Sequence, residues 1–113
     1  MSKQKFHLSE WQRNAALTLC DEVEIVTSRI ELTGMDIAPT YNDWRDLGFA
    51  LAQGLGEEGR AFYHRLSRFY SSYQPAETEK QYTACLRSGG RGITVNTFFH
   101  LARQAGVDIN TCL

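Results

Sequence analysis

Apolar residues in this chain recur mostly at three- and four-residue steps, the spacing that puts them on one face of a helix. Trp11, Ala15, Ala16, Leu19, Cys20, Val23, Val26 and Ile30 form the first such series. Ser9 heads it as a capping box with Gln12, and Gly34 stands just beyond its end as a helix stop. The β-branched run Val23, Ile25, Val26, Thr27 and Ile30 would also suit a strand. Its apolar positions do not alternate, so a helix is the better reading. After a connector holding Pro39, Asn42 or Asp43 is positioned to cap a second helix with Trp44, Leu47, Leu51 and Leu55 inward. Gly48 inside it costs about 1 kcal/mol against Ala, a cost that a close helix crossing would explain.

The glycine-rich break 54–59 leads into a third helix, Glu57 to Ser71, with Phe62, Leu66, Phe69 and then Tyr73 inward. Pro75 opens a fourth, running to Leu86, with Glu77 and Glu79 near its positive end and Tyr82, Cys85 and Leu86 inward. Beyond the turn 88–92, Thr94 or Asn96 caps a last helix with Phe98, Phe99, Leu101, Ala102 and Ala105 on its apolar side, ended by Gly106. The pattern predicts an all-α, single compact domain of about five helices. Residues 1–41 are expected as a tail and a long helix that packs on a module formed by residues 42–113.

Composition changes this picture little: 113 residues, 42% hydrophobic and 22% charged, describe an ordinary globular domain. Charge changes it more. Residues 1–44 hold four basic and seven acidic side chains, whereas residues 45–113 hold eight basic and six acidic. Nine of the twelve basic residues are Arg, the side chain suited to forked contact with phosphate or carboxylate. Cys20, Cys85 and Cys112 are widely spaced with no CxxC pair, so neither a zinc site nor a disulfide framework is expected. With no apolar signal core at the N-terminus and no run long enough to span a bilayer, the expected setting is cytoplasmic, away from membranes.

Three features could carry chemistry. Gly54 to Gly59 spells GxGxxG, but a helix precedes it rather than the strand a dinucleotide site requires, and Glu57 and Glu58 would repel phosphate. No cofactor is expected. On the third helix, Arg60, His64 and Arg68 line one stripe with Arg65 beside it, and no Asp or Glu interrupts them. That arrangement suits either a solvated polar face or a row of phosphate contacts. Arg87 and Arg91 flank a glycine-rich turn just before a helix N-terminus, which suits an exposed turn or an anion. His7, His64 and His100 are isolated, so no metal site or catalytic pairing is expected. The aromatic residues are expected in the core, with Tyr63 and Tyr70 partly exposed.

Several stretches resemble the primase C-terminal domain of the second type. Asp43-Trp44 with Leu47-Gly48-Phe49-Ala50-Leu51 is similar to that family's opening, and Gly56 to Gly59, Phe62 and Leu66-Ser67-Arg68 to its middle. Tyr73 and Glu77 follow, and residues 93–106, ITVNTFFHLARQAG, are similar to its closing segment. Leu66 and Tyr82 stand where that family usually has Trp. The resemblance spans residues 42–106 and implies an accessory module of primase or helicase-primase-like replication proteins of plasmids, phages and conjugative elements. No polymerase-type carboxylates or P-loop accompany it, so the expected function is non-catalytic. DNA, through Arg60, His64, Arg65, Arg68, Arg87 and Arg91, and a replication or primase-helicase protein are the partners it suggests. The alternative is a protein-interaction or dimerisation module that uses apolar side chains of the N-terminal helix.

Overall fold

A computed structural model describes residues 17–89 and 92–111. The readings placed on Ser9, Trp11, Ala15, Ala16, His7, Arg91 and Cys112 lie outside the described residues. Five α-helices make up the described chain: α1 Leu19–Thr33, α2 Tyr41–Leu55, α3 Gly59–Ser67, α4 Pro75–Arg87 and α5 Asn96–Gln104, with a single 3-10 turn, Gly56–Glu58, between α2 and α3. No strand occurs among the described residues, and the β-branched run of α1 is helical, with Val23, Val26 and Ile30 fully buried.

The helix starts differ from the sequence expectations. Leu17 and Thr18 are not helical, so the run from Ser9 does not continue unbroken into α1. Thr18 caps α1 instead, in a reciprocal box with Asp21. Thr40, rather than Asn42 or Asp43, caps α2, its hydroxyl accepting from the Asp43 amide at 3.0 Å. Asp43 thereby falls in the first turn, where its charge favours the helix dipole. α3 is shorter than expected because 56–58 tighten into the 3-10 turn and the chain leaves the helix after Ser67. Before α5 the Thr94 hydroxyl accepts from Asn96 at 3.3 Å, and Gly106, at φ 89°, ends the helix as expected.

All five helices feed one core. α2 is central, with Trp44, Leu47, Ala50 and Leu51 buried against α3, α4 and α5. Gly48 marks the close crossing its position suggested: a methyl there would come 2.9 Å from Cys85 Sγ and 3.1 Å from the Tyr63 ring. Gly59 is tighter still, since a methyl would overlap the Tyr82 hydroxyl and lie 2.9 Å from the Leu51 carbonyl oxygen. The GxGxxG glycines at 54 and 59 therefore serve helix packing; at Gly54 a methyl would sit 2.8 Å from Val95. The chain after α5 folds back on α1, where Arg29 donates to the carbonyls of Asp108 and Asn110, each at 2.8 Å.

Tyr63 was expected to be partly exposed and is fully buried. Its hydroxyl donates to the Trp44 carbonyl at 2.9 Å, and its ring stacks on the Trp44 indole at 5.4 Å. Burial pushes its hydroxyl well above the ordinary tyrosine range. Sequence periodicity placed it one position off the apolar stripe, but the helix sits between α2 and α4 and buries a wider face. Tyr70 is half-buried, as expected.

Candidate nucleic-acid interface

The basic residues of α3 point into three different surroundings. Arg60 lies over the Tyr82 ring and pairs with Glu57 and, at 3.1 Å, with Glu79 of α4, while donating to Thr83 at 3.0 Å. Hydrogen bonding to Glu57 strengthens its hold on its proton. His64 sits one turn on, its Nε2 2.7 Å from Glu79 Oε1 and its Nδ1 3.4 Å from the Tyr73 hydroxyl. Arg65 turns the other way, toward α1. One guanidinium donates to both Glu24 oxygens at 2.8 and 2.9 Å and to both Glu31 oxygens at 2.8 and 3.0 Å. These bonds hold the Glu24 carboxyl down at about 2 and also lower that of Glu31.

No acid interrupts Arg60, His64 and Arg65 within their own helix, but the fold brings acids to them from the 3-10 turn, α1 and α4. Both guanidinium groups are thus matched by carboxylates, and the imidazole sits against one, before any external anion arrives. Arg68, at the C-terminal cap of α3, is exposed and makes no ion pair among the described residues. Arg87, the last residue of α4, is likewise exposed and unpaired there, while Arg91 lies outside the described residues. Of the six residues singled out, the five that are described thus point to different sides of α3 and α4. Three lock helices together, and Arg68 and Arg87 remain as open cations.

Lys80 escaped the sequence reading and, like Arg103 on α5, is a further exposed cation without an ion pair among the described residues. Its signal was the register Glu77, Lys80, Gln81, Ala84, which puts a polar stripe along one side of α4. That stripe forms one wall of a cleft of about 400 Å³; Tyr41, Trp44 and Tyr70 contribute to the rest. Trp44 and Tyr70 stack there with ring centres 5.4 Å apart and planes 7° from parallel. Among the described residues no cluster of three or more His, Cys, Asp or Glu could hold a metal ion.

The residues that carried the family resemblance meet in space. The Trp44 indole N–H donates to the Ser67 hydroxyl at 2.8 Å, so the opening motif on α2 and the middle motif on α3 form one buried contact. Gly48 lies under the Tyr63 ring, and Phe98 and Leu101 of the closing segment complete the same core. No curated protein sequence and no solved structure matches the chain. A protein-family comparison does match: Primase C terminal 2 (PriCT-2) covers residues 26–102, from the middle of α1 into α5. With that match over most of its length and the motif residues joined in one core, the chain belongs to the Primase C terminal 2 family, a primase-associated C-terminal module.

Proposed function

We propose that this chain is a non-catalytic accessory module of a primase-like replication system carried by a mobile element, a plasmid, phage or conjugative transposon, and that it works in the cytoplasm by contacting DNA or replication proteins. Family membership supports the replication setting. The observation that carries DNA contact is the division among the basic residues: Arg60 and Arg65 are paired with carboxylates and His64 sits against Glu79, while Arg68, Lys80, Arg87 and Arg103 are exposed and make no ion pair among the described residues. Phosphate contact falls to Arg68 and Arg87, and Arg60, His64 and Arg65 hold α3 against its neighbours. Both imidazole nitrogens of His64 face protein groups, which favours a structural role for it over proton transfer.

Fluorescence anisotropy with labelled DNA at low salt tests this. Arg68→Ala with Arg87→Ala is expected to weaken binding about equally for all sequences, the mark of backbone contact. Absence of binding by the unaltered chain at low salt would sink the reading.

One observation favours protein docking as a second reading. Leu32 near the end of α1 is 87% exposed, and Met35, three residues on and 39% exposed, helps Pro39 and Leu101 to line a groove of about 230 Å³. If this surface mediates self-association, sedimentation will show a dimer that Leu32→Ser dissociates. A monomer across the accessible concentration range would exclude that version.

A further inference from the structure

The cleft between the start of α2, the turn after α3 and the side of α4 is built differently on its two walls. One wall is aromatic. The Trp44 indole is stacked with both Tyr63 and Tyr70, each at 5.4 Å, and is itself buried. Tyr41 stands 5.9 Å from Trp44 at 48° and is 55% exposed. It is a large ring left in water at the rim, where the core does not use it. The other wall is polar. Glu77, Lys80 and Gln81 stand at the three- and four-residue spacing that shares one helix face. Gln81 uses one amide N–H on Cys85 Sγ at 3.4 Å, which leaves its carbonyl oxygen able to accept. Lys80 brings a positive charge with no carboxylate paired to it among the described residues.

A flat hydrophobic surface facing hydrogen-bond acceptors and one cation is the chemistry of a nucleobase with its phosphate. The volume of about 400 Å³ lies within the range of small-ligand sites. A purely aliphatic group would leave the acceptors and the cation of the polar wall unused. A base inside a duplex could not enter, because both its faces are already stacked. The α4 stripe also continues past Ala84 to Arg87, seven residues and about 10 Å along the helix from Lys80. That gives a strand leaving the cleft a second cation for its next phosphate.

We infer that this cleft binds one unstacked nucleobase, flat against Tyr41 with Tyr70 beside it, its edge hydrogen-bonded by Glu77 and Gln81 and its phosphate held by Lys80. The occupant is a nucleotide of a single strand whose backbone continues along α4 to Arg87. This rests on the reading of the chain as a DNA-contacting module and makes it specific for unpaired bases. A free mononucleotide shares the same chemistry.

The test uses the full chain and anisotropy with a labelled oligodeoxycytidylate, an abasic oligomer and a duplex of the same length, with deoxycytidine monophosphate as competitor. The base-bearing strand should bind about tenfold or more tighter than the abasic strand or the duplex, the effect expected of one stacked base. Tyr41→Ala should remove that advantage and Tyr41→Phe retain it, while Arg103→Ala on α5, a helix packed against α1 and α2, should change nothing. Tyr41 is exposed and Thr40 still caps α2 in both variants, and circular dichroism checks that each folds. Competition by the monophosphate that Tyr41→Ala abolishes supports the same site and extends its occupants to free nucleotides. Equal binding of abasic and base-bearing strands, or an unchanged affinity in Tyr41→Ala, overturns the inference. If Arg68→Ala with Arg87→Ala still weakens binding in that case, backbone contact stands without it; if no DNA binds at all, both readings fall.

Discussion

Arg65 joins two carboxylates of one helix through a single guanidinium, and the arrangement has a pH signature. Glu24 and Glu31 lie seven residues apart on the same side of α1, where without Arg65 their charges would repel. Their side chains are 50% and 31% exposed and that of Arg65 23%, so solvent screening limits the gain. Removing the guanidinium should cost about 1–2 kcal/mol, since two forked, charge-assisted pairs are lost together. The folded Glu24 carboxyl lies at about 2, below its unfolded value, so its contribution is complete above about pH 5 and disappears as pH falls toward 2. Urea unfolding followed from pH 5 to pH 2 should show stability declining, and Arg65→Met should flatten that decline. An equally steep decline in the variant would mean that other carboxylates control it. The arginine stripe was legible in the sequence; its partners were not, because Glu24 and Glu31 come from 41 and 34 residues away.

At the scale of elements, the glycines decide how closely helices approach. Gly48 and Gly59 both lie where neighbouring side chains leave no room for a methyl, but the obstacles differ. At Gly48 the nearest atom is a thiol at the end of a short side chain, and alanine's helix preference returns about 1 kcal/mol. At Gly59 the methyl meets the buried Tyr82 hydroxyl, which is itself bonded to the Gly56 carbonyl, and the backbone of α2. Backbone cannot step aside without moving the helix. Gly59→Ala should therefore cost about 2–3 kcal/mol, at the upper end for overpacking, and Gly48→Ala clearly less. Thermal unfolding of the two variants checks the order, and equal stabilities would show that Tyr82 yields easily. Gly48 as a crossing point was legible because a helix rarely keeps glycine in its interior without a packing reason. The role of Gly59 was hidden in a motif whose spelling suggests phosphate.

Across the whole molecule, charge pairing governs how strongly this module can respond to a polyanion. The net charge is −1, and of the eight basic residues after residue 44, Arg45, Arg60 and Arg65 are tied to carboxylates. With Arg68, Lys80 and Arg87 as the open cations on α3 and α4, about three phosphates would be engaged. For a single strand that predicts a plot of log affinity against log salt with a slope of about −2, far shallower than for a polycationic binder. Anisotropy titrations over a salt series measure it, and a steep slope would mean that the paired arginines release their carboxylates on binding.

What the sequence determined by itself was the helical class, the approximate extent of α2, α4 and α5, the crossing at Gly48 and the family likeness. All of these rest on local spacing, since a periodic apolar face, a capping residue or a motif is written within a few turns of chain. Only the tertiary structure decided which cations are free, that Tyr63 is buried, and that Tyr41, Trp44 and Tyr70 share a cleft with Lys80. Those depend on which helix faces which. A side chain's electrostatic surroundings are made by neighbours in space, and here they come from elements dozens of residues apart.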